Sequence, residues 1–187
     1  DEVDAYPDMA GKEGDPVSLA ERRTDAFEQS RKILYTSTPL IEQTSKIKEL
    51  YLKGDQRKYY VPCKQCGHMQ VLSWGQVKWD VDDDGRLIWS SVRYVCEKCD
   101  AEWSNNDKSL FLPRGEWRPT ATPVEPGYRS YHLSSLYSPV GFRSWESGVQ
   151  EFLEKKESPG ELRTFINTFL GEPWVEQGEK PRIETLL

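Results

Sequence analysis

Between Tyr59 and Trp103 short apolar runs alternate with polar turns: Tyr59-Tyr60-Val61-Pro62, Met69 to Leu72, Val92 to Val95 and Ala101 to Trp103. Runs this short, bounded by Lys, Gly and Asp clusters, predict strands. After Ser144 the period changes. Trp145, Val149, Phe152 and Leu153, then Leu162, Phe165, Ile166, Phe169 and Leu170, recur at helical spacing and predict two amphipathic helices. Ser144 caps the first. Ser158-Pro159-Gly160-Glu161 offers the second a capping box with proline at its first helical position, and Gly171 with Pro173 ends it.

The first third of the chain is less periodic. Asp8 to Gly14 reads as a loop, and Asp15-Pro16 as the start of a helix with Leu19, Ala26 and Phe27 on its apolar face. Arg22 and Arg23 between them read as a solvated face rather than as phosphate contacts across an interface. Lys32 to Thr36 is a β-rich run suited to a buried strand, ending at the polar Ser37-Thr38-Pro39. Thr44 is the expected cap of the next helix, with Ile47, Leu50 and Tyr51 inward and Gly54 closing it. Far downstream, after a Pro-rich passage, Tyr128 to Leu133 predicts a strand that rejoins the main body, with His132 packed beside the core.

Composition narrows the classes. A net charge of -6 and a pI near 5.1 argue against broad nonspecific nucleic-acid binding, although they leave room for a local basic path. No apolar run approaches the length of a membrane span. Seven Trp and nine Tyr read as core packing before they read as base stacking.

The four cysteines form two C-x2-C pairs, Cys63/Cys66 and Cys96/Cys99, each between two of the predicted strands. Strand, turn, strand, repeated, is the layout of a zinc ribbon. Two such pairs make a closed tetrahedral sulfur cage, which assigns a structural zinc that contributes folding energy rather than catalysis. Two disulfides are the alternative, disfavoured by the close spacing and by the lack of a secretory signal. Gly67 suits the positive φ that such a turn needs, and Asp100 at the matching place tolerates it less well. His68 is expected on the solvent side. Asp80 to Gly85 imitates the start of a calcium loop, but Ser91 stands where the bidentate Glu belongs, so it reads as an acidic hairpin tip.

Asp1-Glu2 is an acidic pair of the Walker B kind, in which one carboxylate holds Mg²⁺ and the next polarises the attacking water. Acidic clusters on solvated chain ends look the same. Thr36-Ser37-Thr38 after a strand fits a tip that senses the γ-phosphate, and equally an ordinary strand-to-turn junction.

Taken together and in order, Asp1-Glu2-Val3-Asp4-Ala5-Tyr6-Pro7, Thr36-Ser37-Thr38-Pro39, the Val61-Pro62-Cys63 and Cys96 turns, Tyr131-His132-Leu133 with Tyr137-Ser138-Pro139, and Phe165 to Thr168 with Leu170 to Trp174 resemble one family. This is the large subunit of tailed-bacteriophage, lambda-type DNA-packaging terminases. The resemblance implies an α/β fold: the C-terminal part of a P-loop-type, additional-strand ATPase domain with an inserted β zinc ribbon. Residues 1–56 would be ATPase core, 57–105 the ribbon insert, 106–175 the return strand and C-terminal helices of the ATPase domain, and 176–187 a linker. Asp1 would be the Walker B Mg²⁺ ligand, Glu2 the general base, and Thr36, Ser37 and Thr38 the coupling tip. Asn167 to Trp174 would mark the exit toward the nuclease. ATP and Mg²⁺ would be cofactors of the parent. Its partners would be double-stranded DNA, the terminase small subunit and the portal, in a homo-oligomeric ring with no membrane, in the cytoplasm of the infected bacterial host. Two departures qualify this. No G-x-x-x-x-G-K-[ST] occurs, and the nuclease acids are absent, so the chain is expected to be a segment of a longer terminase that neither holds ATP tightly nor cuts DNA alone. The competing reading is a non-enzymatic zinc-ribbon module that binds protein or nucleic acid.

Overall fold

A single strand, β1 (Arg57–Pro62), organises the computed structural model, which describes residues 1–176. Its Tyr-Tyr-Val centre favours extended backbone, and three partners use it. Along one edge runs antiparallel β6 (Glu116–Arg118), with Tyr59 opposite Trp117. The other edge carries antiparallel β2 (Met69–Val71) and then parallel β7 (Tyr131–His132), with Arg57 opposite Tyr131. A second sheet has the order β3 (Val77–Lys78), β4 (Arg93–Val95), β5 (Glu102–Trp103). The expected rejoining strand is therefore present, and the strand it meets is the one that enters the first cysteine turn.

Helices α4 (Trp145–Lys155) and α5 (Pro159–Phe165) lie against these sheets, and α5 runs into a π-helical turn, Ile166–Leu170, closed by Gly171 at φ 67°. Ser144 caps α4 as expected, accepting from the Ser147 N–H. Their inward stripe and the sheets share one core: Trp74 packs on Phe152, Phe165 and Phe169, and Tyr94 stacks on Trp103 and touches Trp145. Residues 57–105 and the helices beyond them therefore bury the same apolar surface. Tyr137 ties the layers by polar contacts too, its hydroxyl accepting from Leu72 N and donating to the Tyr59 carbonyl, both at 2.7 Å.

Several local expectations shift. The capping box before α5 does not form, since Ser158 makes no side-chain cap bond. For α2 (Lys46–Lys53) the cap is Ser45 rather than Thr44. Helix α1 (Pro16–Arg22) starts as expected on the Asp15 carboxylate but stops at Arg22; Ala26 and Phe27 fall in a separate 3-10 turn, and Phe27 is exposed. Lys32 to Thr36 forms no strand ladder, and Leu34 is 82% exposed. Strand propensity needs a neighbouring edge, and the segment receives only the Val3 N–H on the Thr36 carbonyl. The expected linker lies, from residue 177 on, outside the described residues. No described helix is long and apolar enough to cross a membrane.

Candidate functional site

Each cysteine pair sits on a backbone loop built to one plan. Cys63 N–H donates to the His68 carbonyl and Gly67 N–H to the Cys63 carbonyl; Cys96 N–H donates to Ala101 and Asp100 N–H to Cys96. Closing the loop requires left-handed backbone at the fourth residue after the leading cysteine: Gly67 at φ 70° and Asp100 at φ 57°. The loops then face one another. Cys63 and Cys99 sulfurs are 3.7 Å apart, Cys66 and Cys96 sulfurs 4.0 Å, and all four lie within 4.8 Å of one another. A disulfide needs about 2.05 Å. A tetrahedron of thiolates around Zn²⁺, with Zn–S about 2.3 Å, needs sulfurs about 3.8 Å apart, so the donor set fits a metal ion.

Electrostatics at the cage point the same way. Burial raises the Cys63 thiol, yet N–H groups of Cys66 and Gln65 outweigh it and hold its pKa at about 6. Cys99 accepts the Ala101 N–H but is pushed up to about 12 by burial and by the other three sulfurs. Four thiols this close cannot all ionise unless a cation neutralises them. His68 points away, its Nε2 bonded to Glu97 at 2.8 Å, as expected for a solvent-side residue. Lys64 reaches out to Asp107, which also caps the turn after Ser104.

The second cluster joins the chain's first residues to the Thr36 segment. Asp1 Oδ1 accepts from the Thr36 hydroxyl at 2.5 Å, across 35 residues, and from Glu2 N at 3.1 Å. Ser37 does not face the acidic pair; its hydroxyl accepts the Asp4 N–H and donates to the Thr38 carbonyl. Thr38 makes no side-chain hydrogen bond among the described residues. Glu2 is exposed, without a side-chain partner among the described residues, and holds a left-handed φ of 53°. A non-glycine residue in that region stores strain.

Two residues that sequence reasoning passed over are well used. Asp4 accepts from Leu40 N at 2.9 Å and from Ile47 N at 2.7 Å, so it caps α2 from outside. Its place two residues after the acidic pair was the available signal. Lys108, the first residue of the short helix α3 (Lys108–Phe111), is fully buried, over the Trp145 ring at 4.8 Å, and burial lowers its pKa to about 8. Nothing in the polar stretch around it distinguishes it in sequence.

Residues 1–117 match the family described as phage terminase large subunit gpA, ATPase domain, and residues 128–187 match terminase large subunit gpA, endonuclease domain. The boundary falls inside the segment expected to be wholly ATPase. A terminase large subunit of Escherichia phage lambda is 28% identical over 211 residues, covering 100% of this chain and 31% of the relative. One from Enterobacteria phage P21 is 28% identical over 204 residues, covering 96% and 30%. The chain thus spans about a third of the length of these relatives. No solved structure matches it.

Proposed function

The chain belongs to the phage terminase large subunit gpA family, and from that membership we propose that it is the middle segment of an ATP-driven DNA-packaging motor whose full-length form also cuts concatemeric DNA. Within that reading the fold is the C-terminal part of a P-loop-type ATPase domain with a zinc ribbon built into it. The observation that carries the assignment is the Asp1–Thr36 hydrogen bond, which joins the acidic pair to the segment resembling the coupling tip. In an ordinary solvated chain end these two would have no reason to meet.

The roles follow from the contacts. Asp1 is suited to a Mg²⁺ ion, since its Oδ1 is held by Thr36 and Glu2 N while its Oδ2 has no partner among the described residues. Magnesium, when bound with ATP, neutralises charge on the transferred phosphoryl group. Glu2 presents a free carboxylate and takes the proton of the attacking water. Thr36 registers the position of Asp1. Ser37 and Thr38 pass a change there to Asp4 and the chain beyond. The four cysteines hold one zinc, which fixes β1 and β4 relative to one another and takes no part in hydrolysis.

ATP, the DNA duplex, the small subunit, the portal and a homo-oligomeric ring belong to the full-length protein in the infected cell's cytoplasm. A free-standing ribbon module is less well supported, because residues 57–105 share their core with α4 and α5. The test joins this segment to the rest of its terminase and replaces Glu2 by Gln. ATP turnover should fall at least about a hundredfold, the usual worth of a general base. Unchanged turnover sinks the assignment.

A further inference from the structure

Leu40 follows the tip by two residues, and both of its backbone polar groups are clamped. Its N–H donates to Asp4 Oδ2 at 2.9 Å. The carbonyl accepts from Asn167 Nδ2 at 3.0 Å and from Trp174 N at 2.8 Å, while Glu42 N donates back to the Trp174 carbonyl. Asp4 N–H in turn donates to Ser37 Oγ at 3.1 Å. An unbroken run of hydrogen bonds therefore links the acidic segment, the tip and the π-helical turn across 36 and 127 residues of sequence. Its two ends lie in different family matches, Asp4 in the ATPase part and Asn167 in the endonuclease part.

Asn167 is chemically specific to this place. It is 5% exposed, and its Oδ1 has no partner among the described residues. Burying an amide whose oxygen is unpaired costs free energy that an isosteric Leu would avoid. The donor aimed at Leu40 is what the amide adds. The π-turn that carries it, a rare geometry frequent at functional sites, directs Asn167 inward beside buried Phe169 and Leu170.

We propose that Asn167, with Asp4, is a positioning residue for the ATPase tip: together they clamp Leu40 and hold Ser37 and Thr38 in register with Asp1 and Glu2. This rests on the motor reading above. The part of the chain matching the endonuclease model thereby contributes a residue to the hydrolysis rate. Contiguity of hydrogen bonds is not coupling, so the two ends must be tested against each other.

The experiment uses the full-length terminase carrying Asn167→Asp, Asp4→Asn or both, with Glu2→Gln in parallel. Asn167→Asp turns the donor facing the Leu40 carbonyl into an acceptor at constant size. Each variant is read by ATP kcat and KM, thermal unfolding and zinc content. Each single variant should lower kcat about tenfold with KM for ATP within about twofold and one zinc per chain. The double variant should lose no more than either single one, as residues of one network do. Wild-type kcat in a folded Asn167→Asp protein overturns the proposal. So do multiplicative losses in the double variant, or a drop in kcat that merely tracks thermal unfolding. If Asn167→Asp does not fold, wild-type kcat in Asp4→Asn overturns it instead. Full turnover in Glu2→Gln sinks the motor assignment itself, whereas loss there with wild-type kcat in Asn167→Asp sinks only the clamp.

Discussion

The first 45 residues and the region from Arg57 to Gly171 are held together by different means. Before Val61 the buried apolar side chains are Val3, Val17 and Pro39, and the segment is tied down by polar contacts: Asp1 to Thr36, Asp4 to Leu40 and Ile47, Asp15 to Lys46. Beyond it, aromatic rings from Trp74 to Phe169 fill one core, pinned at one end by the cysteine cage. Few apolar contacts mean low local stability, and segments that switch are drawn from such regions. The contrast suits the proposed motor role, in which a well-packed body of sheets and helices would carry a lightly held tip.

That contrast breaks most visibly at the metal. Cys96 is fully buried, and Cys96→Ser should abolish binding of about one zinc per chain and unfold the Arg57–Gly171 body cooperatively. Structural zinc carries on the order of 10 kcal/mol of folding free energy. Metal analysis with circular dichroism checks it; a zinc-free variant with a native melting curve would move the source of stability from the cage to the aromatic core.

A smaller effect probes that core. At Gly148 an added Cβ would lie 2.3 Å from the Phe169 ring. Gly148→Ala should therefore destabilise by about 1–3 kcal/mol from overpacking, against the gain of roughly 0.5–1 kcal/mol that alanine brings to a helix. Denaturant midpoints measure the balance. A stabilised variant would show that α4 and the π-turn can separate cheaply.

On the polar side the counterpart is Asp15. Its hydrogen bond from Lys46, and then that from Ser18 N, lower its pKa from 3.8 to about 2. A depressed carboxylate contributes stability above the unfolded value and loses it as pH falls through the folded one. Asp15→Ala should cost about 1 kcal/mol at neutral pH, the worth of a helix cap. The difference from wild type should shrink from pH 3.8 and be gone below about 2. A difference that persists in stronger acid would point to packing instead of charge.

Legibility in the sequence divides along the same line. The cysteine loops, the strands around them and the stripes of α4 and α5 were readable because metal spacing and apolar period are local signals that tertiary structure reinforces. Not readable was the shared core, since nothing local says that Trp74 meets Phe152 or Tyr94 meets Trp145. Polar ties fared worst. Asp4 and Asn167 look like solvated or helix-interior residues until the fold brings Leu40 between them. The capping box at Ser158 and the length of α1 failed for the opposite reason: each local signal was sound, and the surrounding structure did not use it.

Lys32 to Thr36 is where sequence pattern and fold disagree most, and within this chain it carries the smallest effect. Its pattern suits a buried strand, yet Leu34 is 82% exposed. In this chain Leu34→Ser should change stability by less than about 0.5 kcal/mol, as exposed substitutions do. In the full-length terminase the same change should cost about 2 kcal/mol or more, because a strand edge supplied by the remaining ATPase core would bury Leu34. Urea midpoints of both proteins, with and without the substitution, give the comparison. A cost confined to the longer protein makes the pattern a true strand that lacks its neighbour here. Equal indifference in both leaves it a solvent-facing connection, and the tip at Thr36 to Thr38 would then be placed by Asp1, Asp4 and Leu40 alone.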